Sequence, residues 1–408
     1  MENYRKNLFT IGLLSFSNSI PLYLATFALP GILRKAGASL VIIGLLGGLM
    51  LPWALKFLWA PLLDKFYSQK SGKRKSWLIP SQGLIALCLF LLAFVTPENN
   101  SWFCFILIII MLMAAATHYL ATSAFIYEQL PSKSISYGNY ALVVGTALGS
   151  FAGGGLFMIL YANCGWLLSI LFEFTVVVII LLGICFLIRE NSLFVADHAK
   201  VKSASILNFI KNAENRKLLY LCLTYRGCEG LVMGMQQPFL IDRGISLSMI
   251  GSVIGISGVT VNLFTAGIIS RFLSNVSSHR YWLLILGLLR TVCYSGFMLL
   301  AIFANTNTLI IFFIVVVNMA CRAMEMVVLY TIFMRNLKSE QVATDIAILL
   351  CAEIIIYSCG MMSSGFVANY CGYAGLFLIG SSLSLITTYN SFRLLKINKK
   401  FDVYEDVI

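Results

Sequence analysis

Long apolar segments dominate this sequence and restrict its possible folds more than any other feature. Hydrophobic residues make up 59% of the chain and charged residues 11%, with a mean hydropathy of +0.88. A water-soluble fold could not cover so much apolar surface, so we expect the chain to lie in a lipid bilayer. Because the segments are long and lack strict alternation, they exclude a β-barrel, and the spanning backbone must be helical.

Twelve segments approach the ~20 apolar residues that a helix needs to cross the hydrocarbon. The predicted spans are roughly 8–33, 40–63, 77–96, 102–127, 139–161, 166–188, 217–240, 248–270, 281–303, 309–334, 345–368 and 374–392. The sequence therefore predicts an all-α membrane protein of two pseudo-symmetric six-helix bundles. We place the N-terminal bundle at 1–190, a cytoplasmic linker at 191–216, the C-terminal bundle at 217–392 and a cytoplasmic tail at 393–408.

An internal repeat supports this two-bundle organisation. Gly37–Gly44 reads GASLVIIG, and Gly244–Gly251 reads GISLSMIG at the corresponding place in the second half. Such a repeat is typical of transporters built from two related halves.

The positive charges are distributed unevenly between the two faces of the predicted bundle. Most Lys and Arg fall on the face that holds both termini, whereas only Arg34, Lys35 and Arg243 fall on the other. This positive-inside bias predicts that both termini are cytoplasmic. The net charge of +12 then faces anionic membrane lipids, and we do not expect nucleic-acid binding.

Several ionisable residues lie within the predicted spans, where each costs at least ~2.5 kcal/mol if it faces lipid. They are Lys56, His118, Glu173, Arg226, Glu229, Arg290, Arg322, Glu325 and Glu353. Two Arg and Glu pairs match across spans seven and ten, Arg226 with Glu229 and Arg322 with Glu325, each three residues apart on one helix face. The sequence suggests no pairing for the remaining Glu and Arg residues.

The matched pairs predict an anion site coupled to protons. Arg226 and Arg322 would hold an anionic substrate, while Glu229 and Glu325 would bind and release a proton. If the substrate competes with a carboxylate for its arginine, proton binding and substrate binding become linked. The alternative is that both pairs only stabilise the helix bundle.

Polar side chains within the spans predict a substrate cavity. We expect Asn18, His118, Tyr119, Gln236 and Asn318 to line it and contact the substrate. For the polar residues around Pro21 in span one, the alternative is that they compensate the backbone carbonyl that the proline frees. His118 could be either a proton relay or a satisfied core residue.

The loop after span two carries the most specific local motif. Asp64 ends the span and is followed by the basic run GKRK at Gly72–Lys75. This arrangement resembles the inner-loop signature of the major facilitator superfamily. The resemblance implies that Asp64, Lys73 and Arg74 gate transport as a charge-relay latch that forms in one access state and breaks in the other. The alternative is a basic anchor at the inner leaflet.

Departures from that signature resemble one branch of the family. Ala60 and Pro61 stand where the common signature begins with glycine, and extra residues precede Gly72. LPWALKFLWAPLLD at 51–64, with GKRKSW at 72–77 and NSIPL in span one, resembles AmpG-type muropeptide permeases and RhtX/FptX-type siderophore permeases. Because AmpG-type members usually carry two additional spans, the twelve-span length favours the siderophore importers.

Other functional classes fit the sequence poorly. A membrane enzyme would need a metal cluster or an activated nucleophile, but the chain has three histidines, and His198 and His279 fall in inner loops. A sensor or scaffold would need an output domain, which the short tail does not supply. We therefore expect no enzyme activity, no catalytic or metal-binding residue and no cofactor.

The sequence leads to one functional hypothesis. We expect a monomeric, proton-driven importer in the bacterial inner membrane that carries a large polar anion as its small-molecule substrate. A ferric siderophore is the first candidate for the cargo and a cell-wall muropeptide is the second.

Overall fold

A computed structural model gives the fold of the chain and is helical throughout its spans. It describes residues 2–68, 72–97, 101–130, 135–188, 206–274, 279–303, 307–337 and 342–397. The predicted linker falls largely outside the described residues, and so does the predicted tail beyond residue 397.

The helices of the first half follow the predicted spans closely. They are α1 (Glu2–Tyr23), a π-helical turn (Leu24–Ala28), α2 (Leu29–Lys35), α3 (Leu40–Leu45), a 3-10 turn (Leu46–Met50), α4 (Leu51–Leu55), a 3-10 turn (Lys56–Leu58), α5 (Ala60–Lys65), α6 (Lys75–Ala93), α7 (Ser101–Gln129), α8 (Ile135–Ser150), a π-helical turn (Phe151–Leu156) and α9 (Phe157–Leu187). Span two is thus interrupted twice, near Pro52 and before Pro61, as expected where prolines remove backbone donors.

The described part of the second half contains a short helix and five long ones. They are α10 (Ile206–Lys211), α11 (Ala213–Asp242), α12 (Leu247–Ser274), α13 (His279–Ile302), α14 (Thr308–Asn336) and α15 (Val342–Ile397).

Two continuous helical stretches each contain two predicted spans: the one from α8 to α9, and α15. The backbone reverses at Gly165 (φ 75°) within α9 and at Gly372 (φ 68°) within α15, a left-handed conformation that glycine adopts at little cost. Eight stretches of the described chain are long and apolar enough to cross a membrane, and two of them, Tyr140–Phe186 and Asp345–Leu395, hold two spans each. The all-helical membrane fold predicted from the sequence is confirmed.

Two predicted spans, α11 and α12, are absent from those eight stretches. For α11 the reason is its sequence, which places Arg226, Glu229 and two glutamines within the span. Of α12, the part up to the first side chains outside the described residues, Leu247–Val261, is an apolar helix shorter than those eight stretches. A helix as polar as α11 can lie in a bilayer only where protein surrounds it, and 18 of its residues are buried.

The chain forms two compact units. Unit 1 comprises Met1–Gly37, Leu55–Val201 and Ser246–Val259, and unit 2 comprises Ala38–Ala54, Lys202–Ile245 and Thr260–Ile408. Each unit therefore includes one segment from the other half of the sequence. The bundle boundaries stated above stay a prediction.

Glycines bring helices close together inside each unit. In unit 1, a Cβ at Gly145, Gly149 or Gly153 would overlap the backbone of α1. In unit 2, a Cβ at Gly230 would overlap the carbonyl oxygen of Tyr357 in α15. Small residues at four-residue spacing allow such close helix packing in membranes. Gly230 also places α15 directly beside the charged residues of α11.

Candidate functional site

A network of four charged side chains lies in the interior of unit 2. Arg226 in α11 forms ion pairs with Glu229 on the next turn and with Glu353 of α15, the latter at 2.9 Å between Nε and Oε1. Glu229 also forms an ion pair with Arg322 of α14. Tyr330 donates a hydrogen bond of 2.8 Å to the other oxygen of Glu353. Two arginines and two glutamates thus form a buried network without net charge.

The structure corrects one pairing that the sequence suggested. Arg226 and Glu229 are paired as predicted, but Arg322 pairs with Glu229 and not with Glu325, three residues further along its own helix. Glu325 pairs instead with Arg290 of α13. Residues three apart on a helix differ by about 60° in direction. Glu325 consequently points into the packed interior, whereas the Arg322 side chain remains 33% exposed.

The second charged pair is enclosed, and each of its side-chain polar atoms except Arg290 Nη2 has a hydrogen-bond partner. Arg290 Nη1 lies 3.3 Å from Glu325 Oε2, and its Nε donates to Ser384 Oγ at 3.0 Å. The Tyr225 hydroxyl donates to the other Glu325 oxygen at 2.8 Å. The Arg290 guanidinium also stacks 4.5 Å from the centre of the Tyr225 ring. Buried and hydrogen-bonded in this way, the pair has the character of a structural element.

The network around Glu229 is less enclosed than this pair, and fewer of its polar atoms have hydrogen-bond partners. Five of its atoms lie at ion-pair distance from their partners but not in hydrogen-bond geometry. They are Arg226 Nε and Nη1, both Glu229 oxygens and Arg322 Nε. Arg322 is also its one partly exposed member. Arg322 is therefore the guanidinium of this network that solvent can reach.

Two of the predicted substrate contacts lie along the helices that carry this network. Gln236 follows Glu229 by two turns of α11, and Asn318 precedes Arg322 by one turn of α14. Both are buried, and the Gln236 side-chain oxygen accepts no hydrogen bond. Asn318 Nδ2 lies 3.6 Å from Met233 Sδ in α11. These residues extend the polar character of the network along two helix faces.

The other predicted contacts belong to unit 1. Asn18 accepts a hydrogen bond from Ser19 at 3.3 Å, and His118 Nδ1 lies 3.5 Å from Thr122 Oγ1. Asn18 Nδ2 and His118 Nε2 have no hydrogen-bond partner, although both side chains are buried. Tyr119 lies under Lys56, whose ammonium is 4.1 Å from the ring centre, a cation–π contact between spans two and four.

The predicted gating residues can be described in part. The Asp64 side chain lies outside the described residues. Arg74 donates to both oxygens of Glu128 at the end of α7, from Nε at 2.8 Å and from Nη2 at 2.6 Å, and Lys73 contacts the same carboxylate at 3.2 Å. Such bidentate contacts are among the stronger ion pairs in proteins. Glu128, which sequence reasoning did not single out, therefore joins the basic loop to α7 within unit 1.

The Glu128 contact predicts a pH-dependent stability. Burial alone would raise the pKa of Glu128, but the hydrogen bonds and charges of Arg74 and Lys73 outweigh burial and hold the pKa below its ordinary value. Its stabilising contribution is therefore complete above the unfolded-state pKa of about 4.3, and is lost as the pH falls through the lower folded-state pKa. We expect Glu128→Gln to be less stable than the wild type at neutral pH, with the difference shrinking in acid.

Thermal unfolding in detergent at a series of pH values measures this difference. Glu214→Gln is the matched control, because Glu214 forms an exposed ion pair with Lys217. A gap between wild type and Glu128→Gln that stays constant in acid would contradict the assigned contact.

Several residues of these networks were not assigned partners from the sequence. Arg290 and Glu353 were recognised as charged without a pairing, and Tyr225 was not singled out. Two features of the sequence could have indicated Glu128 and Tyr225. Glu128 lies opposite the basic loop, and Tyr225 is next to Arg226 in a polar span. Partner identity depends on which helices pack together, and spacing within one helix does not encode that.

Comparison with known proteins places this geometry in context. The family model described as Major Facilitator Superfamily matches residues 11–317. The "Putative transporter AmpG 4" of Rickettsia conorii is 23% identical over 98% of both chains. The "Anhydromuropeptide permease" of Escherichia coli K12 is 23% identical over 71% of this chain and 60% of its own length.

A solved structure agrees in fold. A bacterial homologue of the human lysosomal transporter Spinster superimposes with a TM-score of 0.78 over 99% of both chains, at 14% sequence identity. At this identity the likeness concerns the fold.

Proposed function

The chain belongs to the major facilitator superfamily, and we propose that it is a proton-coupled bacterial importer of anionic muropeptides. Membership of the family makes it a multi-pass membrane transporter of a small-molecule substrate, and not an enzyme. The muropeptide cargo, the proton coupling, the inner-membrane location, the monomeric state and the cytoplasmic termini are parts of the proposal.

The relatives favour the second of the two predicted cargoes. The twelve-span length favours a siderophore over a muropeptide as the cargo, because AmpG-type members usually have two additional spans. The Rickettsia conorii relative, named as a putative AmpG transporter, is matched over 98% of its length, so the shorter length does not argue against that group. The Escherichia coli permease is named for anhydromuropeptides. Muropeptides carry carboxylates, which arginine binds in a bidentate manner.

The observation that supports this mechanism best is the sharing of Glu229 between two arginines of unequal exposure. In the proposed cycle a substrate carboxylate takes the place of Glu229 at Arg322, while Arg226 retains Glu229 and Glu353. Glu229 then has one positive neighbour fewer, so that proton binding at Glu229 and anion binding at Arg322 are linked. Gln236 and Asn318 would contact the polar part of the cargo, as Asn18, His118 and Tyr119 would in unit 1.

The remaining predicted roles have uneven support. Glu325, the second predicted proton carrier, is held by Arg290 and Tyr225, which supports a structural role for it. Lys73 and Arg74, with Asp64, remain our proposed gating residues. In unit 1 the first two are held by Glu128, a contact that a gate could make and break.

Uptake into proteoliposomes tests the proposed cargo. With an imposed pH gradient, labelled anhydromuropeptide is expected to accumulate roughly tenfold or more above protein-free liposomes, and a ferric siderophore is not. Collapse of the gradient with a protonophore should remove the accumulation. Accumulation of the siderophore and not of the muropeptide would overturn the cargo, and uptake that ignores the protonophore would overturn the coupling.

A further inference from the structure

One carboxyl group within the spans stands apart from the others. Glu229, Glu325 and Glu353 each form an ion pair with at least one arginine. Glu173 in α9 is 2% exposed, and neither of its oxygens has a hydrogen-bond partner. Among the described residues of the spans, Glu173 is the buried carboxyl group that forms neither an ion pair nor a hydrogen bond.

Among the described residues, the elements packed against α9 place no compensating charge beside Glu173. The structure packs α9 against α6, α1 and the π-helical turns Leu24–Ala28 and Phe151–Leu156, and neither turn carries a titratable side chain. The titratable side chains described on these two helices are Lys75 and Cys88 of α6 and Lys6 and Tyr23 of α1. Lys75 binds the carbonyl groups of Cys185 and Ile188 at the far end of α9, at 2.8 and 3.3 Å. An unpaired carboxylate is unfavourable in such an interior, so Glu173 is neutral there and holds a proton.

The repeat between the two halves relates buried polar positions of unit 1 to positions of unit 2. Taking the register that aligns Gly37 with Gly244, His118 corresponds to Glu325, and Val177 corresponds to Ser384. Ser384 accepts a hydrogen bond from Arg290, and the Val177 carbonyl accepts one from Gln82 at 3.2 Å.

The corresponding positions thus differ in charge. Unit 2 has the ion pair of Glu325 with Arg290 there. Unit 1 has His118 at the position of Glu325 and Gly83 at the position of Arg290, with Gln82 beside it. Gln82 Oε1 and His118 Nε2 have no hydrogen-bond partner. Glu173 joins Ser15, Asn18, Gln82 and His118 as a buried residue of unit 1 with a polar atom that has no hydrogen-bond partner.

A cavity lies at the end of the helical segment that carries Glu173. A space of about 280 Å³ is lined by Lys35, Thr96, Tyr161 and Trp166, among others. Trp166 begins the segment of α9 that carries Glu173, which lies seven residues, or roughly 10 Å, further along the same helix face.

A hydroxyl group lies between the cavity and the carboxyl group. Ser169 is buried on the face that Trp166 and Glu173 share, four residues before Glu173. Its hydroxyl donates to the carbonyl of Gly165 at 2.7 Å. A hydroxyl can both donate and accept hydrogen bonds, so Ser169 is a polar group on this face between the cavity and Glu173.

We propose that Glu173 is a proton-binding site of unit 1, reached from the cavity at Trp166 by way of Ser169. The ligand is a proton, bound as the neutral carboxylic acid and released as the carboxylate when the surroundings of Glu173 become polar. This inference rests on the proposed proton coupling and adds a second site, in the other unit from Glu229.

Infrared difference spectroscopy tests proton binding without any cargo. Purified protein in nanodiscs is titrated with alkali while the band of protonated carboxyl groups is recorded. The wild type is expected to show a band that Glu173→Gln lacks. Thr175→Val, a change on the exposed face of the same helix, should keep the band. A band of equal intensity in Glu173→Gln would overturn the proposal.

A second measurement connects the site to transport. The ratio of gradient-driven accumulation to equilibrium exchange of anhydromuropeptide should fall roughly tenfold or more in Glu173→Gln, within the range expected for linked sites. Thr175→Val should keep the wild-type ratio. A wild-type ratio in Glu173→Gln would overturn the role in coupling. If the wild type does not carry anhydromuropeptide at all, the cargo is wrong, and the infrared result alone decides the assignment.

Glu173→Asp provides a check that does not depend on the folding of the glutamine variant. It keeps a carboxyl group but withdraws it toward the helix by one methylene. Its infrared band should persist and disappear at a different pH from that of the wild type. Disappearance at the same pH would mean that the band does not come from this residue.

Discussion

Replacing Arg322 with glutamine is expected to lower the kcat/KM of uptake about 100-fold, which corresponds to ~2.8 kcal/mol. Arg322 is the partly exposed member of the network around Glu229, and an arriving carboxylate would exchange with Glu229 at its guanidinium. Loss of one partner of a desolvated charge pair typically has an effect of this size. Arg322→Lys should recover only part of the activity, because lysine offers a point charge in place of a planar fork.

Uptake kinetics in proteoliposomes, normalised to the amount of folded protein, measure this effect. Lys217→Gln is the matched control, because Lys217 is a half-exposed cation in an ion pair with Glu214. Its kcat/KM should stay near that of the wild type. An Arg322→Gln protein that transports as well as this control would show that the anion binds elsewhere.

The pair of Arg290 and Glu325 is expected to produce the largest change in stability. Removing either partner alone leaves a buried charge uncompensated, so Arg290→Met and Glu325→Leu should each lower the free energy of unfolding by about 3–5 kcal/mol. The double variant should recover most of that loss, because a buried ion pair and an apolar pair of similar volume are often nearly equivalent.

Denaturant unfolding of the four proteins forms a double-mutant cycle that gives the coupling between the two residues. The exposed pair of Lys217 and Glu214 is the comparison cycle, and its coupling should stay below about 1 kcal/mol. If the two buried changes instead add, with no recovery in the double variant, the ion pair is not what stabilises this part of unit 2.

Much of the fold could be predicted from the sequence because the bilayer leaves few alternatives. Long apolar runs must be helices in lipid, and their number follows directly from the chain. The kinks also follow from residue type, since Gly165 and Gly372 occupy left-handed conformations. The composition of the two compact units could not be predicted. It depends on close helix packing at particular glycines, and the sequence does not say which helix each glycine meets.

The candidate site shows the same limit at the level of side chains. The three-residue spacing identified Arg226 with Glu229 correctly, because both residues lie on one helix. The same spacing suggested a pair between Arg322 and Glu325 that does not form. There, neighbouring helices supply Glu229 and Arg290 as partners. Spacing fixes the direction of a side chain on its own helix, whereas the opposing charge is set by tertiary packing.

The polar character of α11 has a consequence for the biogenesis of the protein. A translocon releases a segment into lipid according to its hydrophobicity, and an arginine at the centre of a helix adds about 2.5–3.5 kcal/mol against release. A nascent α11 carrying Arg226 would therefore not settle in lipid by itself. One of its counter-charges, Glu353, lies on α15, which leaves the ribosome last among the helices. Insertion of the second half is thus expected to be completed only after nearly the whole chain has been synthesised, with α11 retained by the insertion machinery until then.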